Sequence, residues 1–139
     1  MEIHAKSNSE TAFASIAKDK HKILIHSHGH SFFSDESEES GGHSLGMNPL
    51  SLLLSSLAAC TVATIKRYAD NRSWHLDGAE VKITFKKVIQ NESVSISKEI
   101  TLHGKLSHEQ KIKLQEIGSH SAVHQILTNN VFIDTELSE

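Results

Sequence analysis

The chain has 139 residues, 37% of them hydrophobic, and a formal net charge of −3. That is enough for one domain, or for a domain that completes its core by pairing with a copy of itself. The absence of a basic stripe argues against nucleic acid as a partner, and a single cysteine, Cys60, rules out an internal disulfide and fits a reducing, cytoplasmic compartment.

The polar start, MEIHAKSNSE, predicts no leader peptide. Weak alternation at Ile3-His4-Ala5 and again over Ala12 to Ala17 predicts one or two strands with a turn near Ser7-Asn8-Ser9. Lys18-Asp19-Lys20 reads as a turn, and His21 to His26 as a strand with Ile23 and Ile25 on one face and Leu24 on the other. The pattern continues through Gly29 into a short strand, His30 to Phe33. Asp35 to Gly42 is acidic, serine-rich and glycine-ended, and predicts a solvated loop.

Gly46 to Ala69 is the most apolar stretch and holds both the only proline, Pro49, and the only cysteine. Asn48 is suited to cap a helix, and Pro49 fits its first position, where an N–H would be unpaired anyway. Leu53, Leu57, Cys60 and Thr64 share one face, and the other faces are largely apolar too. The spacing therefore predicts a helix buried on most sides, central to a domain or a dimer. Its apolar run, Leu50 to Ile65, is shorter than about 18 residues and carries serines and threonines, so no membrane span is expected.

Beyond a connector around Trp74, Ala79 to Ile89 alternates at Val81, Ile83 and Phe85 as a half-buried strand. Gln90 to Ser93 predicts a hairpin turn, and Val94 to Lys105 the returning strand, with a bulge expected around Ser97-Lys98-Glu99. Ser107 and Gln110 form a capping box. A helix carrying Ile112, Leu114 and Ile117 follows, broken at Gly118 and resumed through Ala122, Val123, Ile126 and Leu127. Val131 to Leu137 reads as a closing strand. The order of elements is that of an α+β fold with mostly antiparallel strands.

Several stretches resemble the OsmC/Ohr family of thiol-dependent peroxidases. Gly46-Met47-Asn48-Pro49, leading through Leu52-Leu53-Leu54 and Leu57-Ala58-Ala59 to Cys60, is similar to the family's cysteine helix. Trp74 to Val81 resembles the segment that opens its hairpin, Ser121 to Leu127 resembles its C-P-V-H motif, and Phe132 to Thr135 its closing strand. The resemblance covers about the whole chain and implies that residues 1–139 form a single OsmC-like domain in an intertwined homodimer. It also implies that Cys60 is the nucleophile that reduces an organic hydroperoxide, in defence against oxidative stress, and that no cofactor, metal or membrane takes part.

Three departures bear on that chemistry. Ser121 stands where the family has a resolving cysteine, so an external thiol must serve as reductant. Leu50 and Ser51 stand where a glutamate is expected, and residues 1–66 contain no arginine to polarise the peroxide. Lys18, Lys20 or Lys22 would supply charge without arginine's fork. His124 is a candidate base or ion-pair partner for Cys60, and Ser121 a candidate hydrogen-bond donor. The alternatives are a packing histidine, an inert serine and a cysteine buried as a small hydrophobe. In that case the protein is a non-catalytic binder of a small hydrophobic ligand in the cleft around Cys60. His26, His28 and His30 would point one way on a continuous strand, roughly 7 Å apart, with His43 as a possible fourth ligand. No metal motif supports that site, and solvated strand histidines are the expectation.

Overall fold

The computed structural model describes residues 9–18 and 21–138. The expectations at Ile3-His4-Ala5, Ser7-Asn8 and Asp19-Lys20 lie outside the described residues. The chain divides into two compact units, up to Leu52 and from Leu53 onward.

The first unit is a three-stranded antiparallel sheet in the order β1-β2-β3, with β1 at Ala12–Ser15, β2 at Ile23–Ser27 and β3 at His30–Ser34. His28 and Gly29, both at positive φ (54° and 77°), make the two-residue turn that pairs Ser27 with His30. Such turns suit the twist of antiparallel strands. The acidic segment departs from the expectation of a wholly solvated loop. Asp35 is fully buried, and its Oδ2 accepts the backbone N–H of His43 (3.1 Å) and of Leu45 (3.2 Å). Ser34, also buried, donates to the Met47 carbonyl at 2.7 Å. A carboxylate with local N–H donors can be buried at tolerable cost, and it holds the loop in shape.

Helix α1, Pro49–Asn71, opens as the sequence predicts: Asn48 Oδ1 accepts from Ser51 N at 2.8 Å, with Pro49 in the first position. The second unit contains the rest of α1, a hairpin of β4 (His75–Val88) and β5 (Ser93–Lys105), and helices α2 (His108–Gly118) and α3 (Ala122–Thr128). By length and composition alone α1 could cross a membrane. It instead buries Leu57, Thr61, Ile65 and Ala69, one residue per turn, as a core helix does. The buried stripe lies one step round from the expected one, with Cys60 half-buried at its flank and Leu53 exposed. Burial on most sides is not met within one chain, because the hairpin and α2 cover a single face.

Ile65, Ala69, Leu76 and Leu114 form the core, flanked by Tyr68, Trp74, Ile100, Leu102 and Leu106. Each fully buried Leu or Ile stabilises the fold by about 1.5–3 kcal/mol. The capping box of α2 forms in full: Ser107 Oγ accepts from Gln110 N (3.1 Å), and Gln110 Oε1 accepts from Ser107 N (2.9 Å).

Two further sequence expectations are corrected by the pairing of strands. The β5 bulge is absent around Ser97-Lys98-Glu99, where Ile83 pairs with Lys98 in unbroken register; the irregularity lies between Leu76 and Gly78. Val94, Ile96, Lys98, Ile100 and Leu102 therefore share one face, since side chains two apart point the same way. The closing strand does not form either. Residues 131–138 run without regular structure, and Phe132, Ile133 and Leu137 are exposed. A strand needs an edge to pair with, and no described strand pairs with this segment.

Candidate thiol site

Three elements of the second unit converge on Cys60. The cysteine sits in the middle of α1 beside the buried Thr61. α2 ends at Gly118, where the backbone packs closely: an added Cβ would lie 3.0 Å from Ile100 Cδ1 and 3.1 Å from Ile65 Cδ1. The chain then turns, and Ser121, buried, caps α3 by accepting from His124 N at 3.3 Å. This brings Ser121 and the first N–H groups of α3 against the Cys60 sulfur.

Burial pushes the Cys60 thiol up, but hydrogen bonds from the Val123 N–H, the Ser121 hydroxyl and the Ala122 N–H outweigh it, with Thr64 alongside, and hold the thiol below its ordinary value. The Thr64 hydroxyl gives its proton to the Cys60 carbonyl at 2.7 Å, which leaves the first three as donors to the sulfur. Donors aimed at a sulfur favour its thiolate, the nucleophilic form.

Lys98 is the residue that sequence reasoning missed. Its Nζ donates to Thr61 Oγ1 (3.0 Å) and to the Gly118 carbonyl (2.8 Å). Burial lowers its pKa, and the Cys60 charge pulls in the opposite direction. The signal is a lysine set in the apolar row from Val94 to Leu102, which the expected bulge at Ser97-Lys98-Glu99 breaks up. His124 is held below the ordinary histidine value, first by burial and then by Lys98 and His120, so it is neutral at neutral pH. The charge facing the sulfur comes from Lys98, and the His124 Nδ1 is buried with no hydrogen-bond partner among the described residues.

The family pattern described as OsmC-like protein matches residues 41–136, more than half of the sequence. The chain belongs to the OsmC-like family. Solved structures of the same fold include an osmotic stress induced and detoxification response protein from Psychrobacter arcticus (16% identity, 89% of this chain and 91% of that one, TM-score 0.72). An OsmC-like protein from Mycoplasma pneumoniae also matches (18%, 86% and 87%, TM-score 0.72). So does an organic hydroperoxide resistance protein from Vibrio cholerae (19%, 93% and 90%, TM-score 0.65). None of the curated proteins matches the sequence.

In this OsmC-like chain a cleft of about 500 Å³ is walled by Leu53, Leu57, Phe85, Ile96 and Leu127, with Lys98 and His124 among its polar members; Cys60 itself does not line it. The lysines weighed from the sequence offer no comparable placement. Lys22 lies over the Phe33 ring in the first unit, Lys18 has no described contact with Cys60, and Lys20 is outside the described residues. Among the described residues no three histidine, cysteine or carboxylate side chains gather as metal ligands. His26, His28 and His30 fall on a strand, a turn and the next strand rather than along one face, and His43 stacks edge-on against His21 at 4.7 Å.

Proposed function

We propose that this OsmC-like protein is a one-cysteine, thiol-dependent peroxidase that reduces organic hydroperoxides, with Cys60 as nucleophile. The observation that carries the reading is the set of donors on the Cys60 sulfur, from Ser121, Ala122 and Val123, which favours thiolate despite partial burial. The thiolate attacks the terminal peroxide oxygen, the O–O bond breaks, and an alcohol leaves, with Cys60 as sulfenic acid. With Ser121 in place of a second cysteine, an external thiol attacks that sulfur and releases water. A second equivalent then frees Cys60 as a disulfide of the reductant departs. The name of the Vibrio cholerae relative, an organic hydroperoxide resistance protein, supports the substrate class. In this reading Ser121 and His124 belong to the site, Ser121 as a donor to sulfur and His124 as a neutral wall residue.

The same reading makes the protein a cytoplasmic homodimer acting as one domain over residues 1–139. Leu53, Ile126, Phe132 and Ile133, exposed on the single chain, support a second copy as their cover. The test is stopped-flow oxidation of the reduced protein by cumene hydroperoxide, followed by intact mass. Rapid gain of one oxygen, abolished in Cys60→Ser, is expected; oxidation no faster than that of a free thiol overturns the reading. The apolar cleft favours a second reading, a binder of small hydrophobic ligands. Saturable binding of an unreactive alkyl alcohol by a protein that fails the oxidation test would support it.

A further inference from the structure

Lys98 is a half-buried cation in an apolar setting. It stands in an apolar row between Ile96 and Ile100, where a charge costs desolvation that an aliphatic residue would avoid. Its two acceptors adjoin the thiol's neighbours in the chain, Thr61 following Cys60 in α1 and Gly118 ending α2 three residues before Ser121, and the Cys60 charge acts on Lys98. An ammonium has three donors, and these two bonds leave one N–H without a described partner. The cleft that would take the substrate is lined by Lys98 itself. None of the ion pairs among the described residues includes Lys98.

We propose that Lys98 is the cation of the reaction: it stabilises the Cys60 thiolate and gives its free proton to the oxygen that leaves the peroxide. This inference rests on the peroxidase reading and specifies how the site works without the family's arginine. The step balances. Sulfur donates an electron pair to the terminal oxygen of R–O–O–H, the S–O bond forms and the O–O bond breaks. Cys60 becomes S–OH, and the pair from the broken bond leaves on RO⁻. RO⁻ takes the Lys98 proton to become the alcohol, and the amine is reprotonated by water. Sulfur is oxidised by two electrons and the peroxide is reduced by two. The titratable neighbours are Cys60 on α1, His124 on α3 with His120 behind it, and His108 and Lys111 of α2 on the far side of Lys98. His124 is neutral and does not compete for the thiolate.

The experiment compares the full chain with Lys98→Met and Lys98→Arg. The first readout, iodoacetamide alkylation of Cys60 against pH, needs no peroxide. The second is oxidation by tert-butyl hydroperoxide, whose leaving alkoxide is strongly basic, and by perbenzoic acid, whose leaving carboxylate needs no proton. At neutral pH, Lys98→Met should slow alkylation on the order of tenfold, the scale of one pKa unit. It should slow tert-butyl hydroperoxide by about a further hundredfold, the low end of general-acid effects, and perbenzoic acid only as much as alkylation.

Lys98→Arg should restore alkylation and perbenzoic acid oxidation but not the hydroperoxide rate, because guanidinium does not give up its proton. If Lys98→Met does not fold, the arginine variant alone carries this contrast. An unchanged alkylation profile in folded Lys98→Met overturns the ion pair, and equal loss with both oxidants overturns the proton donor. A wild-type protein inert to both oxidants, whose alkylation still depends on Lys98, refutes the peroxidase reading and leaves the ion pair standing.

Discussion

Replacing Ser121 with cysteine places a second thiol against Cys60. The Ser121 hydroxyl is among the groups that hold the Cys60 thiol below its ordinary value, which makes the two side chains neighbours, as a disulfide between them requires. Backbone φ and ψ at 121 are −66° and 154°, extended values that cysteine adopts without strain. On oxidation the sulfenic acid at Cys60 should be captured as a disulfide. It would close a loop of about 60 residues, worth about 4 kcal/mol by chain entropy. Loss of the serine cap on α3 costs about 1 kcal/mol. The balance, about 3 kcal/mol, corresponds to a rise on the order of 10 °C in Tm for a chain of this size. One equivalent of tert-butyl hydroperoxide should remove two hydrogens from the intact mass and abolish thiol titre, and a reductant should reverse the gain in Tm. Oxygen uptake with no cross-link, or equal Tm with and without reductant, would refute the placement of residue 121 against the thiol.

Gly118→Ala should destabilise the fold by about 1–3 kcal/mol in urea unfolding, because its Cβ would press on Ile65 and Ile100 in a packed core; an unchanged midpoint would show that α2 does not approach so closely. Burial raises the Asp35 carboxyl pKa, but the Leu45 and His43 N–H donors and the His43 charge outweigh it and hold the group below its ordinary value. Its contribution is therefore present above about pH 4 and is lost as pH falls through the folded value. Asp35→Asn should flatten the acid limb of a stability–pH curve, and an identical limb in both proteins would count against the loop clamp. The His124 ring, depressed by burial and by Lys98, should titrate below an ordinary histidine in NMR. Its contribution to stability is fully present above about pH 6.5 and declines as pH falls toward the folded value. A ring titrating at or above that value would contradict its place beside the lysine.

Local chemistry made much of this chain legible before any packing was known. Asn48-Pro49 announced the start of α1, and Ser107 with Gln110 announced α2, because caps are satisfied by neighbours in sequence. Alternation at Val81, Ile83 and Phe85 located the hairpin, and the run into Cys60 marked the thiol, which with Ser121 and His124 made a candidate site from one helix and one motif. Pairing across elements was not legible. The closing strand was read from its pattern at 131–137, yet a strand exists only with an edge beside it.

By itself the sequence determined the helices, the hairpin, the family and the identity of the single thiol, because each depends on short-range pattern and residue type. Only the tertiary structure decided which groups face that thiol. The β4–β5 register turned Lys98 inward, the close packing at Gly118 brought the end of α2 to where its carbonyl meets that lysine, and the turn into α3 laid three hydrogen-bond donors on the sulfur. Those contacts join residues far apart in the chain, and their energies depend on distance and burial that no local pattern encodes.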